Sequence, residues 1–350
     1  MNTTMLNRRT FAGALLAATA ASLVATRAAS AKDYTKGDPL KVALVLHGNL
    51  GDRSFFDSAA AGMKKAEAEL PIKATVIEAG IDRGRWQPAI ADAADGDFDV
   101  IIAGTWDMTP FVQDLSKQYP NKKFILFDDA PDYSTGKYPN VLGVTYRTST
   151  AAYLAGYAAA KISKTGKLGE ILAVEASTIL EFVVGFEQGA KAANPNIEVK
   201  RAIAGGFADP AKGKELALAQ FAQGVDVVFQ IAGATGIGAL QAARDQGKLA
   251  IGVDSDQAEI FATTDAPQAN AIVTSVQKKV GQSLFTALQQ TLNGTAPYGK
   301  SVVLGLANDA VGIAKNKFYE KLVPAEVRTE VDKQEAQIIA GQIKVVTAMK

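Results

Sequence analysis

Aromatic and carboxylate side chains cluster in residues 47–57, in the loop and helix start that follow the first predicted strand. Phe55 and Phe56 stand at the predicted beginning of the helix, with Asp52 just before them. A planar base stacked on an aromatic ring gains about 1–3 kcal/mol, and rings at a solvent-side helix start suit stacking better than core packing. One of the two rings is nevertheless expected to anchor the core, and Ser54 is expected to cap the helix.

Three further loops carry the same residue types. Trp106 follows the third predicted strand, Phe207 lies in a glycine-rich loop after the seventh, and Asp254 and Asp256 follow the ninth. A carboxylate can accept hydrogen bonds from two adjacent hydroxyls, which suits a ribose diol. We assign that role to Asp254, whereas Asp256 is expected to be a helix N-cap. Asp128, at the end of the fourth predicted strand, is a further ligand-binding candidate.

The elements that must position these residues alternate between short apolar runs and amphipathic segments. Nearly continuous apolar strands, each followed by a helix, indicate parallel sheets covered on both faces. Ten such strands exceed one sheet, so the predicted fold is α/β, with two doubly wound parallel-sheet lobes joined by a hinge. The predicted strands are 41–46, 72–78, 99–103, 123–128, 141–146, 169–174, 197–204, 226–231, 249–253 and 271–275.

The predicted lobes comprise residues 39–147 with about 275–306, and residues 148–274 with about 307–345. An internal similarity supports this division, because Phe55 and Phe182 are each followed by Gly at plus seven, Lys at plus nine and Ala at plus eleven. Small residues also recur wherever helices pack on sheets, which is the alternative explanation. Ligands of such sheets bind beyond the carboxyl ends of the strands, so we expect a site between the lobes that closes by hinge motion.

Composition and charge exclude several classes of function. The 350 residues include no cysteine, so disulfides, thiolate catalysis and Cys-ligated metals are excluded, and no lipid anchor on cysteine is expected. The formal net charge is +1, with acidic and basic residues interspersed, which argues against nucleic-acid binding. We predict no cofactor and no metal, since the Asp254 and Asp256 pair alone does not make a metal site.

The first 31 residues have the pattern of an export signal. Arg8 and Arg9 precede an Ala-rich apolar run at 12–25, and residues 29–31 offer small side chains to a signal peptidase. The paired arginines indicate the twin-arginine route, with an ordinary Sec signal as the alternative. The mature chain is therefore predicted to be periplasmic, soluble and not lipid-anchored.

An enzyme is the main alternative class. His47 is the single histidine of the chain, so a Ser-His-Asp scheme must use it, yet no Gly-x-Ser-x-Gly elbow accompanies it. Gly233, Gly236 and Gly238 follow a predicted strand, but their spacing differs from Gly-x-Gly-x-x-Gly. We therefore predict a protein that is not an enzyme, with His47 at a strand end or in a pocket wall.

Seven stretches carry a family resemblance, in order along the chain: 51–55 (GDRSF), 153–159 (YLAGYAA), 209–213 (DPAKG), 233–238 (GATGIG), 252–257 (GVDSDQ), 274–278 (TSVQK) and 339–343 (IAGQI). Together they resemble the basic membrane protein family, the purine-nucleoside-receptor-like substrate-binding proteins of ABC importers. The resemblance implies a type I periplasmic binding protein fold, a small-molecule ligand that is most readily a purine nucleoside, and an ABC permease of the inner membrane as partner. A monomer is expected.

The resemblance also implies roles for particular residues. It implies a base stacked between Phe55 and Phe207, with Asp52 near the base and with Asp254 and Lys278 on the ribose hydroxyls. Lys278 is assigned by the resemblance alone.

Phe56 departs from the family, whose members usually have a polar Asn at this position. Together with Trp106, it keeps a sugar or a small aromatic acid open as the ligand, within the same fold and transport role.

Overall fold

Residues 34–349, which the computed structural model describes, contain twelve strands in two six-stranded sheets. Strands such as β3 and β8 are buried at every residue, because both faces of a parallel sheet are covered by helices. The strands are β1 (Leu40–Leu46), β2 (Ile72–Glu78), β3 (Val100–Gly104), β4 (Lys123–Phe127), β5 (Val141–Tyr146), β6 (Lys167–Leu172), β7 (Glu198–Ile203), β8 (Val227–Ile231), β9 (Leu249–Asp254), β10 (Ile272–Lys278), β11 (Lys300–Leu304) and β12 (Val311–Ile313).

Helices follow most of the strands and cover the two sheets. They are α1 (Phe55–Glu69), α2 (Trp86–Asp95), α3 (Thr109–Gln118), α4 (Thr148–Ile162), α5 (Ser177–Ala193), α6 (Pro210–Ala222), α7 (Gly233–Asp245), α8 (Gln257–Ala262), α9 (Ala266–Ala269), α10 (Val280–Leu292), α11 (Lys317–Leu322) and α12 (Ala325–Ile339). Short 3₁₀ turns lie at Arg83–Arg85, Tyr133–Thr135 and Leu306–Asn308.

Each sheet is the centre of one lobe. The first has the strand order β11-β5-β4-β3-β1-β2, and all of its strand pairs are parallel. The second has the order β12-β10-β9-β8-β6-β7, and only the short edge strand β12 runs antiparallel to its neighbour. The predicted fold class of two doubly wound α/β lobes is confirmed. The ten predicted strands correspond to β1 through β10.

The chain crosses from one lobe to the other after β5, after β10 and after β11. After β5 it enters α4, which packs against β10 and β12 of the second lobe, and after β10 it enters α10, which packs on α1 of the first lobe. The predicted crossing near residue 274 lies inside β10. This strand pairs with the second sheet as far as Lys278, so the chain leaves the second lobe after Lys278. The finer division of the chain between the lobes stays a prediction.

Glycines bring α4 and α5 into direct backbone contact beneath the second sheet. A Cβ atom at Gly185 would lie 2.0 Å from the carbonyl oxygen of Ser149, and one at Gly189 would lie 1.9 Å from that of Tyr153. These distances are far below van der Waals contact, so only glycine permits this helix spacing. The close packing holds the first turns of α5, and with them Phe182, at the carboxyl edge of the sheet.

No helix within residues 34–349 has both the length and the apolar character needed to cross a membrane. The predicted export signal at residues 1–31, with Arg8 and Arg9, lies outside the described residues.

Candidate ligand-binding site

Three non-glycine residues at strand ends adopt left-handed backbone conformations. Thr105 follows β3 with φ 73°, Asp128 follows β4 with φ 63°, and Asp254 ends β9 with φ 61°. Such conformations cost energy in non-glycine residues and persist where the surroundings impose them, often at functional sites. All three conformations occur at the carboxyl ends of strands, so these ends of both sheets are candidates for a functional site.

A buried ion pair joins the two lobes at these edges. The ammonium of Lys278, on β10 of the second lobe, lies 2.8 Å from a carboxylate oxygen of Asp128 of the first lobe. The two residues are 2% and 6% exposed. Burial raises the pKa of Asp128, and the charge and hydrogen bond of Lys278 oppose this increase. Sequence reasoning could not tell Lys278 from an ordinary solvated lysine, and its burial is the difference.

Three aromatic rings enclose the same ammonium group. The Nζ atom of Lys278 lies 5.3 Å from the ring centroid of Phe55, 4.9 Å from that of Phe182 and 5.8 Å from that of Tyr146. These are distances at which the face of an aromatic ring attracts a cation. The lysine is therefore held by one carboxylate and by rings from both lobes.

Asp254 lies beside this pair and bonds across the lobes. The hydroxyl of Ser54, before α1, donates to the carboxylate of Asp254 over 2.8 Å. Burial raises the pKa of Asp254 to about 6, and the nearby charge of Lys278 and the Ser54 hydrogen bond limit the increase. Ser54 makes no side-chain cap for α1, so the expectation that it caps this helix was wrong, because its hydroxyl is used by Asp254.

Asp52 performs the capping that was expected of Ser54. Its carboxylate accepts hydrogen bonds from the backbone N–H groups of Ser54 (3.0 Å), Phe56 (2.9 Å) and Asp57 (3.1 Å). These are N–H groups that the first turn of a helix leaves without partners. Burial raises the pKa of Asp52, and the three backbone donors oppose this. Asp52 thus fixes the start of α1 and the direction in which Phe55 points, and its contact with a ligand stays a prediction.

The two adjacent rings at the start of α1 have different surroundings. Phe56 packs edge-on against His47, with ring centroids 5.1 Å apart, and a Cβ atom at Gly48 would lie 2.4 Å from its ring. Phe55 instead lies 5.4 Å from Phe127 and faces Lys278. Phe56 therefore packs within the first lobe and Phe55 lies at the lobe boundary, and the predicted contact of Phe56 with a ligand stays a prediction.

His47 is enclosed at the end of β1. Its Nε2 atom shares a hydrogen bond of 3.2 Å with the hydroxyl of Thr105, and its ring meets Trp86 edge-on at 5.2 Å. Burial lowers the pKa of His47 to about 4, so the imidazole is neutral at physiological pH. This position agrees with the predicted strand-end or pocket-wall residue.

Aromatic rings of the two lobes also meet at the rim. Trp106, after β3, and Phe207, after β7, have ring centroids 6.5 Å apart. Phe207 is 39% exposed, unusually open for a large apolar side chain. Its ring partner in this structure is Trp106, so a base sandwiched between Phe207 and Phe55 stays a prediction.

Sequence reasoning missed Phe182 and Tyr146 as neighbours of Lys278. The internal similarity that pairs Phe55 with Phe182 was the available signal, because each ring lies in the helix that follows the first strand of its lobe and both face the same ammonium. The predicted N-cap role of Asp256 is confirmed, since its side chain accepts from the backbone of Glu259. Among residues 34–349, no three His, Asp or Glu side chains are grouped in a way that could hold a metal ion.

Two parallel-sheet lobes whose strand ends meet around a buried polar cluster define the class of two-lobed solute-binding proteins. The fold is similar to that of an ABC transporter solute-binding protein from Aeropyrum pernix K1, with a TM-score of 0.79, 24% identity, and coverage of 88% of this chain and 94% of the other. It is also similar to a Caulobacter myo-inositol binding protein, with a TM-score of 0.62, 18% identity, and coverage of 83% and 97%.

The sequence places the chain within this class. Residues 40–347 match the family model Bmp, described as ABC transporter substrate-binding protein PnrA-like, and the chain belongs to this family. It is 34% identical over 319 residues to basic membrane protein A1 of Borrelia garinii subsp. bavariensis, covering 90% of each chain. It is 30% identical to a CD4+ T-cell-stimulating antigen of Listeria monocytogenes, covering 97% of this chain and 99% of the other. The resemblance inferred from the seven stretches is confirmed.

Proposed function

We propose that this substrate-binding protein captures a purine nucleoside between its lobes in the periplasm and delivers it to an ABC permease of the inner membrane. The observation that carries the proposal is the cluster of Asp254, Lys278 and Phe55. It combines a hydrogen-bond acceptor, a donor and a stacking ring at the boundary between the lobes. A nucleoside can use all three, because its ribose hydroxyls both donate and accept hydrogen bonds and its base is planar.

Each group of the ligand has a partner in this proposal. The carboxylate of Asp254 accepts from the ribose hydroxyls in place of the Ser54 hydroxyl, and Lys278 donates to a ribose oxygen. The base stacks on Phe55, and Phe207 approaches from the second lobe, with Trp106 beside it. Because these contacts come from both lobes, they form together only when the lobes are closed, so binding favours the closed state.

The charges at the site favour an uncharged ligand. Three carboxylates, those of Asp52, Asp128 and Asp254, are each less than 10% exposed, and the ammonium of Lys278 is the buried cation among them. An anion placed there would be poorly compensated in a medium where charges interact strongly. This argues against the small aromatic acid considered from the sequence, and against phosphorylated nucleosides.

A sugar remains the second candidate. The Trp106 and Phe207 rings at the rim could cover a pyranose face, and the myo-inositol binding protein with this fold shows that such a scaffold takes a polyol. Asp254 and Lys278 would then bind ring hydroxyls. The protein is proposed to act as a monomer without a cofactor.

A thermal-shift titration tests the proposal. The mature protein would be unfolded and refolded to remove bound molecules, then titrated with purine and pyrimidine nucleosides, free bases, ribose, hexoses, benzoate and nucleoside monophosphates. A ligand at 100 times its Kd stabilises the folded state by about 2.7 kcal/mol. We expect a shift with a purine nucleoside and none with benzoate or monophosphates. A response to a hexose without a response to nucleosides would replace the nucleoside by a sugar.

Removing either ring should weaken nucleoside binding. We expect Phe55→Ala and Phe207→Ala each to reduce affinity by about 1–3 kcal/mol, because each removes one stacking face. Isothermal titration calorimetry measures this. Phe98→Ala is the matched control. Phe98 is a partly buried ring just before β3, at the amino ends of the strands and therefore away from the site. Unchanged affinity in both site variants would contradict the stacking.

A further inference from the structure

Arg53 has an unusual backbone conformation between the two lobes. It precedes α1 with φ 51°, in the left-handed region, and its backbone N–H donates to the carboxylate of Asp57 over 2.9 Å. A non-glycine residue rarely adopts this conformation unless its contacts require it. The contacts that Arg53 makes with the second lobe meet that requirement.

Two groups of Arg53 make three contacts with the second lobe. Its backbone carbonyl accepts from the side-chain amide of Gln257 over 3.2 Å. Its guanidinium donates to the hydroxyl of Thr264 over 3.1 Å and lies 4.9 Å from the ring centroid of Phe261. The neighbouring residue adds a fourth link, because the hydroxyl of Ser255 donates to the carbonyl of Ser54 over 3.0 Å.

Gln257 is a rigid partner for Arg53. It is fully buried, and its side-chain oxygen accepts from the amide of Gln230 (2.7 Å) and from the backbone of Val253 (3.0 Å). Its backbone N–H donates to the hydroxyl of Ser275 over 3.1 Å. Three strands of the second lobe therefore fix the amide group that meets Arg53.

We propose that Arg53 is a positioning residue that fastens the lobes in their closed arrangement and so sets the equilibrium between open and closed protein. Its contacts are with protein groups of the second lobe, and Ser54 beside it reaches Asp254. Opening the lobes separates all of these contacts at once. The binding affinity falls in proportion to the closed fraction that these contacts maintain. The consequence for affinity rests on the proposed function, whereas the equilibrium itself does not.

Spin-label distances measure the equilibrium without a ligand. The chain has no cysteine, so Ile81→Cys and Ile203→Cys introduce two unique labelling sites. These residues are 69% and 45% exposed. Ile81 follows β2 and Ile203 ends β7, and these two strands form the sheet edges away from the crossing strands. We expect the parent protein to show a short distance for the closed lobes, and Arg53→Ala to replace most of it by a longer one.

Two further variants separate the proposed role from other effects. Arg53→Gly also removes the side-chain contacts but relieves the left-handed conformation, so it should open the lobes as Arg53→Ala does. Arg244→Ala removes a half-buried arginine whose ion pairs with Asp245 and Asp265 lie within the second lobe, and it should keep the short distance. Equal distance distributions in the parent and Arg53→Ala would overturn the proposal, as would recovery of the closed distance in Arg53→Gly.

Inosine and guanosine are the probes for the consequence on affinity. We expect Arg53→Ala to raise the Kd of a binding nucleoside about tenfold, because the closed fraction limits apparent affinity, with the change mainly in the dissociation rate. An unchanged Kd would overturn the assigned consequence. If no purine nucleoside of the thermal-shift panel binds the parent protein, the proposed function fails, and the distance measurement still decides the role of Arg53.

Discussion

Lys278→Met is expected to lower the free energy of unfolding by about 3–5 kcal/mol at neutral pH. Lys278 is 2% exposed, and its ammonium lies 2.8 Å from the carboxylate of Asp128, with Asp254 nearby. Methionine keeps an unbranched apolar chain about as long as the aliphatic stem of lysine but carries no charge, so two buried carboxylates lose their compensating cation. Urea denaturation at several pH values measures the loss.

The loss of stability in Lys278→Met should increase with pH. Without Lys278 the pKa values of Asp128 and Asp254 rise further above the ordinary 3.8. A carboxyl whose pKa is raised by folding favours the folded state below its unfolded pKa and loses that contribution as the pH rises through the folded value. The variant should therefore be closest to the parent near pH 4 and furthest from it at pH 8.

Lys279→Met is the matched control for the charge effect. Lys279 is the next residue, and it pairs with Asp309, whose side chain is 86% exposed, so its loss should cost no more than about 1 kcal/mol. Adding Asp128→Asn to Lys278→Met should restore part of the stability. Equal effects of the two lysine substitutions would contradict the buried ion pair.

Asp254→Asn is expected to stabilise the folded protein while it weakens ligand binding. Folding raises the pKa of this carboxyl from 3.8 to about 6, and the difference corresponds to a cost of about 3 kcal/mol at neutral pH. Asparagine is neutral and can still accept the hydrogen bond from Ser54. It offers a diol one acceptor oxygen instead of two, so we expect nucleoside affinity to fall by at least tenfold, about 1.4 kcal/mol.

Thermal melts between pH 4 and pH 8 test the stabilisation. The melting temperature of Asp254→Asn should exceed that of the parent at pH 8, and the difference should shrink as the pH falls below about 6 and become small near pH 4, because the parent carboxyl is then protonated in the folded state and increasingly so in the unfolded state. Asp256→Asn is the control, since asparagine caps a helix as well as aspartate does. A lower melting temperature for Asp254→Asn at pH 8 would contradict this account.

The two substitutions affect the same buried cluster, since one removes its cation and the other removes one of its anions. The charge of Lys278 lowers the energy of the buried carboxylates. The charge of Asp254 still destabilises the folded protein, and it provides a hydrogen-bond acceptor at the lobe boundary. Proteins often retain such destabilising groups at sites where function needs them.

The apolar pattern predicted most of the fold. Strand β5, for example, was located at its observed bounds, because buried parallel strands are marked by nearly continuous apolar runs. β11 and β12 were missed. β11 is largely exposed along its length and β12 has three residues, so neither carries a run long enough to stand out from a loop.

The amino-acid pattern was enough to predict the two-lobed α/β class, the family, and the loops at the strand ends that carry Phe55, Asp128, Phe207 and Asp254. The folded structure was needed to show which of two adjacent rings faces the boundary, that Asp52 rather than Ser54 caps α1, and that Lys278 rather than Lys279 is buried. Local patterns report how each segment folds, since they reflect the period of a strand or helix. The partners of a polar side chain are brought together from distant parts of the chain, as Lys278 meets Asp128 across 150 residues, and their burial depends on contacts that no local pattern contains.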